Sequence, residues 1–237
     1  MYNGDKCLCR YPGKSNLENQ TMKYLTTVFS VLFLLTFISC GESTSFSGGG
    51  TAGEILYLEG LVSVNGKSAG IGLGIMDGDA VVTGPESYVE IKFGDSRVLK
   101  AGENTHLVLN ADEKTFNLGS GALAVVQSKS RWFFRKKPWL VETPTMVAAV
   151  RGTVYFTKVE SPDEVYFCLC NGKIHLEDSL GESFVDMKAA HHKAVRFIRT
   201  DSGMVYQEAP MIYHTDEYME HVASLADKTI DWSVIPE

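Results

Sequence analysis

Residues Thr83–Leu109 read TGPESYVEIKFGDSRVLKAGENTHLVL. Inside this stretch Tyr88–Phe93 alternates strictly. Val89, Ile91 and Phe93 fall on one face; Tyr88, Glu90 and Lys92 fall on the other. A period of two marks a half-buried β-strand. Gly94-Asp95-Ser96 is turn chemistry and leads into a second short strand, Arg97–Leu99, with a third at His106–Leu109. The same pattern extends in both directions. Upstream, Ile55–Leu58 and Leu61–Val64 flank Glu59-Gly60, and Asn65-Gly66 and Asp77-Gly78 are turn dipeptides. Downstream come Thr115–Leu118 and Ala122–Val126, separated by Gly119-Ser120-Gly121. They are followed by Leu140–Thr143, Val147–Val150, Thr153–Val159, Val165–Leu169, Lys173–Leu176, Phe184–Met187 and Lys193–Ile198. Short strands at this spacing predict an all-β fold, either a β-solenoid or a flattened barrel or sandwich. No helical period occurs before His214. In Tyr213–Trp232, Tyr218, Val222, Leu225 and Thr229 recur at helical spacing, with Thr215, Asp216 and Glu217 suited to a first turn. This predicts one C-terminal helix near Thr215–Thr229, packed on the sheet.

The chain has 237 residues, 22 basic and 29 acidic, a formal net charge of −7, 44% hydrophobic residues and 22% charged ones. Those values belong to a packed globular protein and exclude a disordered, collagenous or polytopic membrane chain. The acidic balance argues against nucleic acid as a partner, which needs a basic face. No phosphate loop, G-x-S-x-G or H-E-x-x-H is present, so the sequence makes no case for a hydrolase or a nucleotide enzyme, and a non-enzymatic protein is expected.

Residues Met22–Cys40 (MKYLTTVFSVLFLLTFISC) have a lysine, a short apolar run, a small residue and then a cysteine. The run is short of the ~20 residues of a membrane span and has the layout of a secretory signal. It resembles a bacterial lipoprotein signal of the loose kind found in spirochaetes, with Cys40 lipidated after cleavage. Residues 1–21 then read as an upstream extension, 22–39 as signal peptide and 40–52 as a flexible tether. The expected location is a membrane-anchored lipoprotein on the periplasmic face or cell surface of the outer membrane.

Three further stretches carry a family resemblance. The stretch already quoted, NLGSGALAVV (Asn117–Val126), VETPTMVAAVRGTVYFTKV (Val141–Val159) and CNGKIHL (Cys170–Leu176) resemble the FecR domain, in order, over about residues 53–176. Residues 177–237 then form a β extension and helix packed on that domain. Thr83, Gly84, Thr143, Pro144, Arg151, Gly152 and Thr153 are the positions matching the family motifs. Pro144 marks a corner, since it restricts Thr143 and interrupts the ladder. Gly152 turns the backbone, and Arg151 either pairs structurally or binds an anion. The resemblance implies an extracytoplasmic β module that binds, senses or acts as a scaffold. FecR proteins also control a sigma factor through a cytoplasmic segment. That segment has no counterpart before the apolar run, so no sigma-factor contact is expected.

Two clusters carry chemistry. Cys168-Leu169-Cys170 places both thiols on one strand face, with Cα atoms about 6.6 Å apart. Tyr166, Cys168 and Cys170 oppose Val165, Phe167 and Leu169, so one of the two faces should be less buried. With His191, His192 and His214 downstream, the alternatives are inert core residues or a disulfide, a zinc or other soft-metal site, haem association, or thiol-disulfide chemistry. Adjacent histidines face opposite ways on a strand, so at most one of His191 and His192 joins the cysteines. On a helix, His214, Glu217 and His221 would share a flank. His175 reads as surface. The second cluster is SKSRWFFRKK, where Lys129, Arg131, Arg135, Lys136 and Lys137 surround Trp132, Phe133 and Phe134. It suits anionic lipid headgroups or an acidic envelope partner, or a hairpin folded back on the core.

Overall fold

Alternating apolar residues and frequent turn glycines produce sixteen strands among the described residues. The computed structural model describes residues 51–94, 96–128, 138–150, 152–181 and 183–236, with Val150 described by its backbone alone. The upstream extension, the signal peptide, Cys40, most of the tether, the basic aromatic tract 129–137 and Arg151 lie outside the described residues.

The strands are β1 (Gly53–Glu59), β2 (Val62–Val64), β3 (Lys67–Ser68), β4 (Gly74–Ile75), β5 (Ala80–Thr83), β6 (Tyr88–Phe93), β7 (Arg97–Ala101), β8 (His106–Asn110) and β9 (Thr115–Gln127). Then follow β10 (Trp139–Glu142), β11 (Met146–Val150), β12 (Val154–Ser161), β13 (Glu164–Asp178), β14 (Phe184–Ala189), β15 (Lys193–Thr200) and β16 (Gly203–Ala209). One helix, α1 (Asp216–Leu225), closes the fold.

Two sheets form. The first has the order β4-β1-β6-β7-β9-β12-β13-β15-β16, and the second β3-β2-β5-β8-β9-β10-β11-β13-β14. Neighbours are antiparallel except β9 and β10, which run parallel. Strands β9 and β13 belong to both sheets. Thr115–Asn117 of β9 pair with β10, whereas residues 121–126 pair with β12. Residues 164–171 of β13 pair with β12, whereas 174–178 pair with β11. The ladder β9-β12-β13-β11-β10 therefore returns to β9 and closes a five-stranded barrel, with the other strands bonded outside it. Of the alternatives read from the sequence, the barrel is the one formed.

Each shared strand bends at a glycine. Gly121 has φ +82°, and a Cβ there would lie 2.2 Å from Thr105 Oγ1 and 2.4 Å from Thr105 Cα. Gly172 has φ +134°, and its Cβ would meet Thr153 Cγ2 at 2.7 Å. Only glycine can turn the strand in such space. For this reason the sequence reads β9 and β13 as two strands each, where the structure has one bent strand.

The described family-motif residues are structural joints. Thr83 Oγ1 donates to Gly102 O at 2.5 Å and accepts from Thr105 N at 2.9 Å. Gly84 N donates to Leu61 O at 2.8 Å. Thr143 and Met146 close the β10–β11 turn around Pro144, with Thr143 Oγ1 donating to Met146 O and accepting from Met146 N. Gly152 turns from β11 to β12 with φ +66°, and Thr153 is fully buried.

The main core lies between the sheets, with Ile55, Ile91, Leu99, Leu109, Phe116, Leu123, Tyr155, Phe167, Leu169 and Leu176 buried. A second apolar layer covers the outer face of the first sheet. It joins Val98, Ala124, Val126, Val154, Phe156, Tyr166, Cys168 and Cys170 to Met219, Val222, Ala223, Ala226 and Ile230. The helix starts at the N-cap Thr215, whose side chain accepts from Tyr218 N. It ends at Leu225, shorter than the predicted span. Its buried face is Met219, Val222 and Ala223, about one position round from the stripe read in the sequence.

This second layer corrects two expectations. Neither face of β13 is less buried: Val165, Tyr166, Phe167, Cys168, Leu169 and Cys170 are all fully buried. Nor is the polar face of β6 solvated throughout, because Glu90 is 3% exposed. Its carboxylate accepts from Lys100 Nζ at 2.7 Å and faces His221 Nε2 of α1 at 2.8 Å. Both differences arise because the helix, remote in sequence, covers that face.

Candidate functional site

The period-two spacing of β13 carries Cys168 and Cys170 onto the outer face of the first sheet. The β12–β13 register slips there: Val154 pairs with Asn171 but Tyr155 with Leu169, so Cys170 is the bulged residue. Its carbonyl accepts the backbone N–H of His192 at 3.1 Å. This bond pins the β14–β15 turn to β13, with His192 at φ +32°. His214 arrives from the other side, one residue before the helix cap. Its ring stacks on Phe156 with centroids 4.7 Å apart and planes at 19°.

The two cysteines and two histidines converge. Cys168 Sγ lies 3.5 Å from His192 Nδ1, and Cys170 Sγ lies 3.4 Å from His214 Nε2. His214 Nε2 and His192 Nδ1 are 3.4 Å apart. All four donor atoms lie within 4.8 Å of one another. Of the residues singled out from sequence, Cys168, Cys170, His192 and His214 are thus brought together. His191 is not: its half-exposed ring reaches Asp216 Oδ2 at 3.0 Å instead. As the alternation argument expected, only one of the histidine pair joins the thiols, although a turn rather than a strand separates them. The flank His214, Glu217 and His221 does not gather, since His214 faces the cysteines and His221 faces Glu90. His175 sits 38% exposed between Asp186 and Glu177, which raise its pKa above the usual imidazole value, Asp186 foremost.

Three surrounding residues escaped sequence reasoning. Asp216 accepts from His192 Nε2 at 2.6 Å. Trp232 stacks over His192 with centroids 5.1 Å apart, shielding the site. Tyr166 OH donates to Pro210 O and accepts from Ile212 N, so it holds the segment leading to His214. Asp216 is legible only as a first-turn acid; nothing in sequence spacing pairs it with His192.

The electrostatics are divided between the thiols. The hydrogen bond from Cys170, with those from His192 and His214, overcomes burial and holds Cys168 at about 4. Burial, with the neighbouring Cys168, pushes Cys170 well above the ordinary thiol range. Burial opposes charge on His192, but Cys168 and Asp216 outweigh it and raise its pKa. Burial likewise opposes charge on Asp216, and His192 and His191 outweigh it and lower its pKa. The cluster therefore favours one thiolate beside an imidazole. A reactive thiolate needs access to a substrate, and both cysteines are fully buried. The arrangement can hold a soft cation more readily than it can turn over a substrate.

Residues 79–175 match the family model described as FecR protein. No curated protein matches. Two solved structures of a candidate anti-sigma factor from Parabacteroides distasonis align at TM-score 0.45 and 12% identity. The alignments cover 62% of this chain and 64% and 63% of those chains, less than two thirds of their length.

Proposed function

We propose that this chain, which carries a FecR domain over residues 79–175, is an exported cell-envelope lipoprotein whose β module binds and senses rather than catalyses. The single observation that carries the reading is the FecR match over the strands that build and flank the barrel. Two features support it. The apolar run ending at Cys40, followed by a Ser/Gly-rich stretch, would tether a folded module to a membrane surface. Several charged groups at the outer face of the first sheet and along its edge pair with one another within the fold. Glu90 binds Lys100, Glu160 binds Arg196 and Asp163 binds Arg199. In this role the basic aromatic tract at residues 129–137 adds attraction to anionic headgroups or to an acidic envelope partner.

Detergent phase partition of whole cells, with mass spectrometry of the purified product, tests the anchoring. The wild type should partition into detergent with a lipidated Cys40 as its first residue, and Cys40→Ala should move to the aqueous phase. Equal partition of the two, or an intact 22–39 segment, would refute the reading.

A further inference from the structure

We propose that Cys168, Cys170, His192 and His214 form a closed four-coordinate zinc site that staples the C-terminal helix to the FecR domain. The proposal is independent of where the protein resides.

Three of the six edges between the four donor atoms have tetrahedral lengths, and the other three lie within 4.8 Å. Zinc bound to sulfur at about 2.3 Å and nitrogen at about 2.0–2.1 Å needs sulfur–nitrogen edges of about 3.5 Å and a nitrogen–nitrogen edge of about 3.3 Å. The observed edges are 3.5, 3.4 and 3.4 Å.

The tautomers point the same way. His214 Nδ1 lies 3.0 Å from Ile212 O. A carbonyl only accepts, so Nδ1 carries the proton and Nε2 presents a lone pair to the cluster. His192 Nε2 faces the Asp216 carboxylate at 2.6 Å, so in the neutral ring that a metal requires the lone pair is on Nδ1. The two lone pairs thus face each other across 3.4 Å in a buried space. A cation between them satisfies both and takes the two sulfurs at the same time. A carboxylate or carbonyl behind each ligating imidazole is the outer-shell arrangement of zinc centres.

Ligand type selects the metal. Two thiolates and two imidazoles in tetrahedral array suit zinc, and two thiolates neutralise its charge in a buried site. Loading releases to water the Cys170 proton and the proton that Cys168 and His192 share, with no change in oxidation state. No fifth position is open, because the cysteines are buried and Trp232 covers His192. The site is therefore structural rather than hydrolytic. Its placement defines its use. The cysteines lie within residues 79–175, which match FecR, and both histidines lie beyond them. The ion would join β13, the β14–β15 turn and the start of α1 at one point.

The test is a titration of the purified, reduced, metal-stripped chain with cobalt(II) and then zinc(II). One equivalent of cobalt should give the visible bands of a tetrahedral thiolate complex, and zinc should abolish them. X-ray absorption of the zinc form should show two sulfurs and two nitrogens at the distances above. Cys170→Ser and His214→Gln should each lose the bands at equimolar metal, and His175→Ala should keep them. Asp216→Asn, a change in a positioning residue, should weaken zinc about 10–100-fold. Zinc should raise the melting temperature of the wild type and not of Cys170→Ser. The wild-type titration needs no variant to fold. Absence of binding at one equivalent, cobalt bands that survive Cys170→Ser, or a Cys168–Cys170 disulfide formed in the presence of zinc would each overturn the proposal.

Discussion

Glu90 and Lys100 pose the sharpest question about single side chains. Their side chains are 3% and 11% exposed, 2.7 Å apart, with Lys100 Nζ also 3.9 Å from the centre of the Tyr88 ring. A buried pair contributes little beyond an apolar pair of similar volume, but a buried charge left alone is costly. Lys100→Met should therefore destabilise by about 3 kcal/mol, with His221 softening the loss. Glu90→Leu with Lys100→Met should recover most of it, to within about 1–2 kcal/mol of wild type. Urea unfolding of the three variants checks this, and simply additive losses would contradict it. Legibility at this scale was partial. Alternation alone set Cys168 and Cys170 on one face, and it allowed only one of His191 and His192 beside them. It also marked Glu90 as solvent-facing, because periodicity reports which residues share a face and not what later covers that face. Asp216 and Trp232 were invisible for a related reason: they meet His192 only after 24 and 40 residues of chain have folded.

Strands that serve two sheets are the elements on which the architecture turns. Gly121 lets β9 leave the second sheet and enter the first, with its missing Cβ directly over Thr105. Alanine there combines a positive-φ backbone with a clash against main-chain atoms. Gly121→Ala should cost about 3 kcal/mol or more, read as a lower urea midpoint by circular dichroism. A loss below about 1 kcal/mol would mean that the bend does not depend on glycine. Element identity was easiest to read where a strand stays in one sheet. The sequence pattern for β6 matches its bounds residue for residue, and β8, β10, β11 and β15 shift by one or two. Strands β3, β4 and β5 were missed, and so was β16, where Gly203–Ala209 is largely exposed and has little apolar alternation. That strand forms because β15 offers it an edge, a property of the neighbour rather than of its own residues.

At the scale of the whole molecule, barrel closure separates this fold from a solenoid. Closure depends on β10 lying parallel to β9 and on β11 meeting the far half of β13. Both pairings join segments distant in sequence, and strand spacing leaves them undetermined. The helix is a second whole-molecule feature. It covers the outer face of the first sheet without taking part in the barrel. A chain ending after Ala209 should keep its β-sheet signature while exposing Val98, Val126, Phe156 and Tyr166. It should then bind a hydrophobic dye and self-associate in sedimentation; a dye-silent monomer would show that the face needs no cover. The order of synthesis gives this layering a further meaning. Chains emerge from the N-terminus, and domains tend to fold as they emerge. Once Asp178 is out, every strand of the barrel is present, but the residues of α1 have yet to emerge. The newborn protein therefore passes through an interval with a finished barrel and an uncovered greasy side. A holding chaperone has its best grip on the chain during that interval, and loses it when the last segment docks.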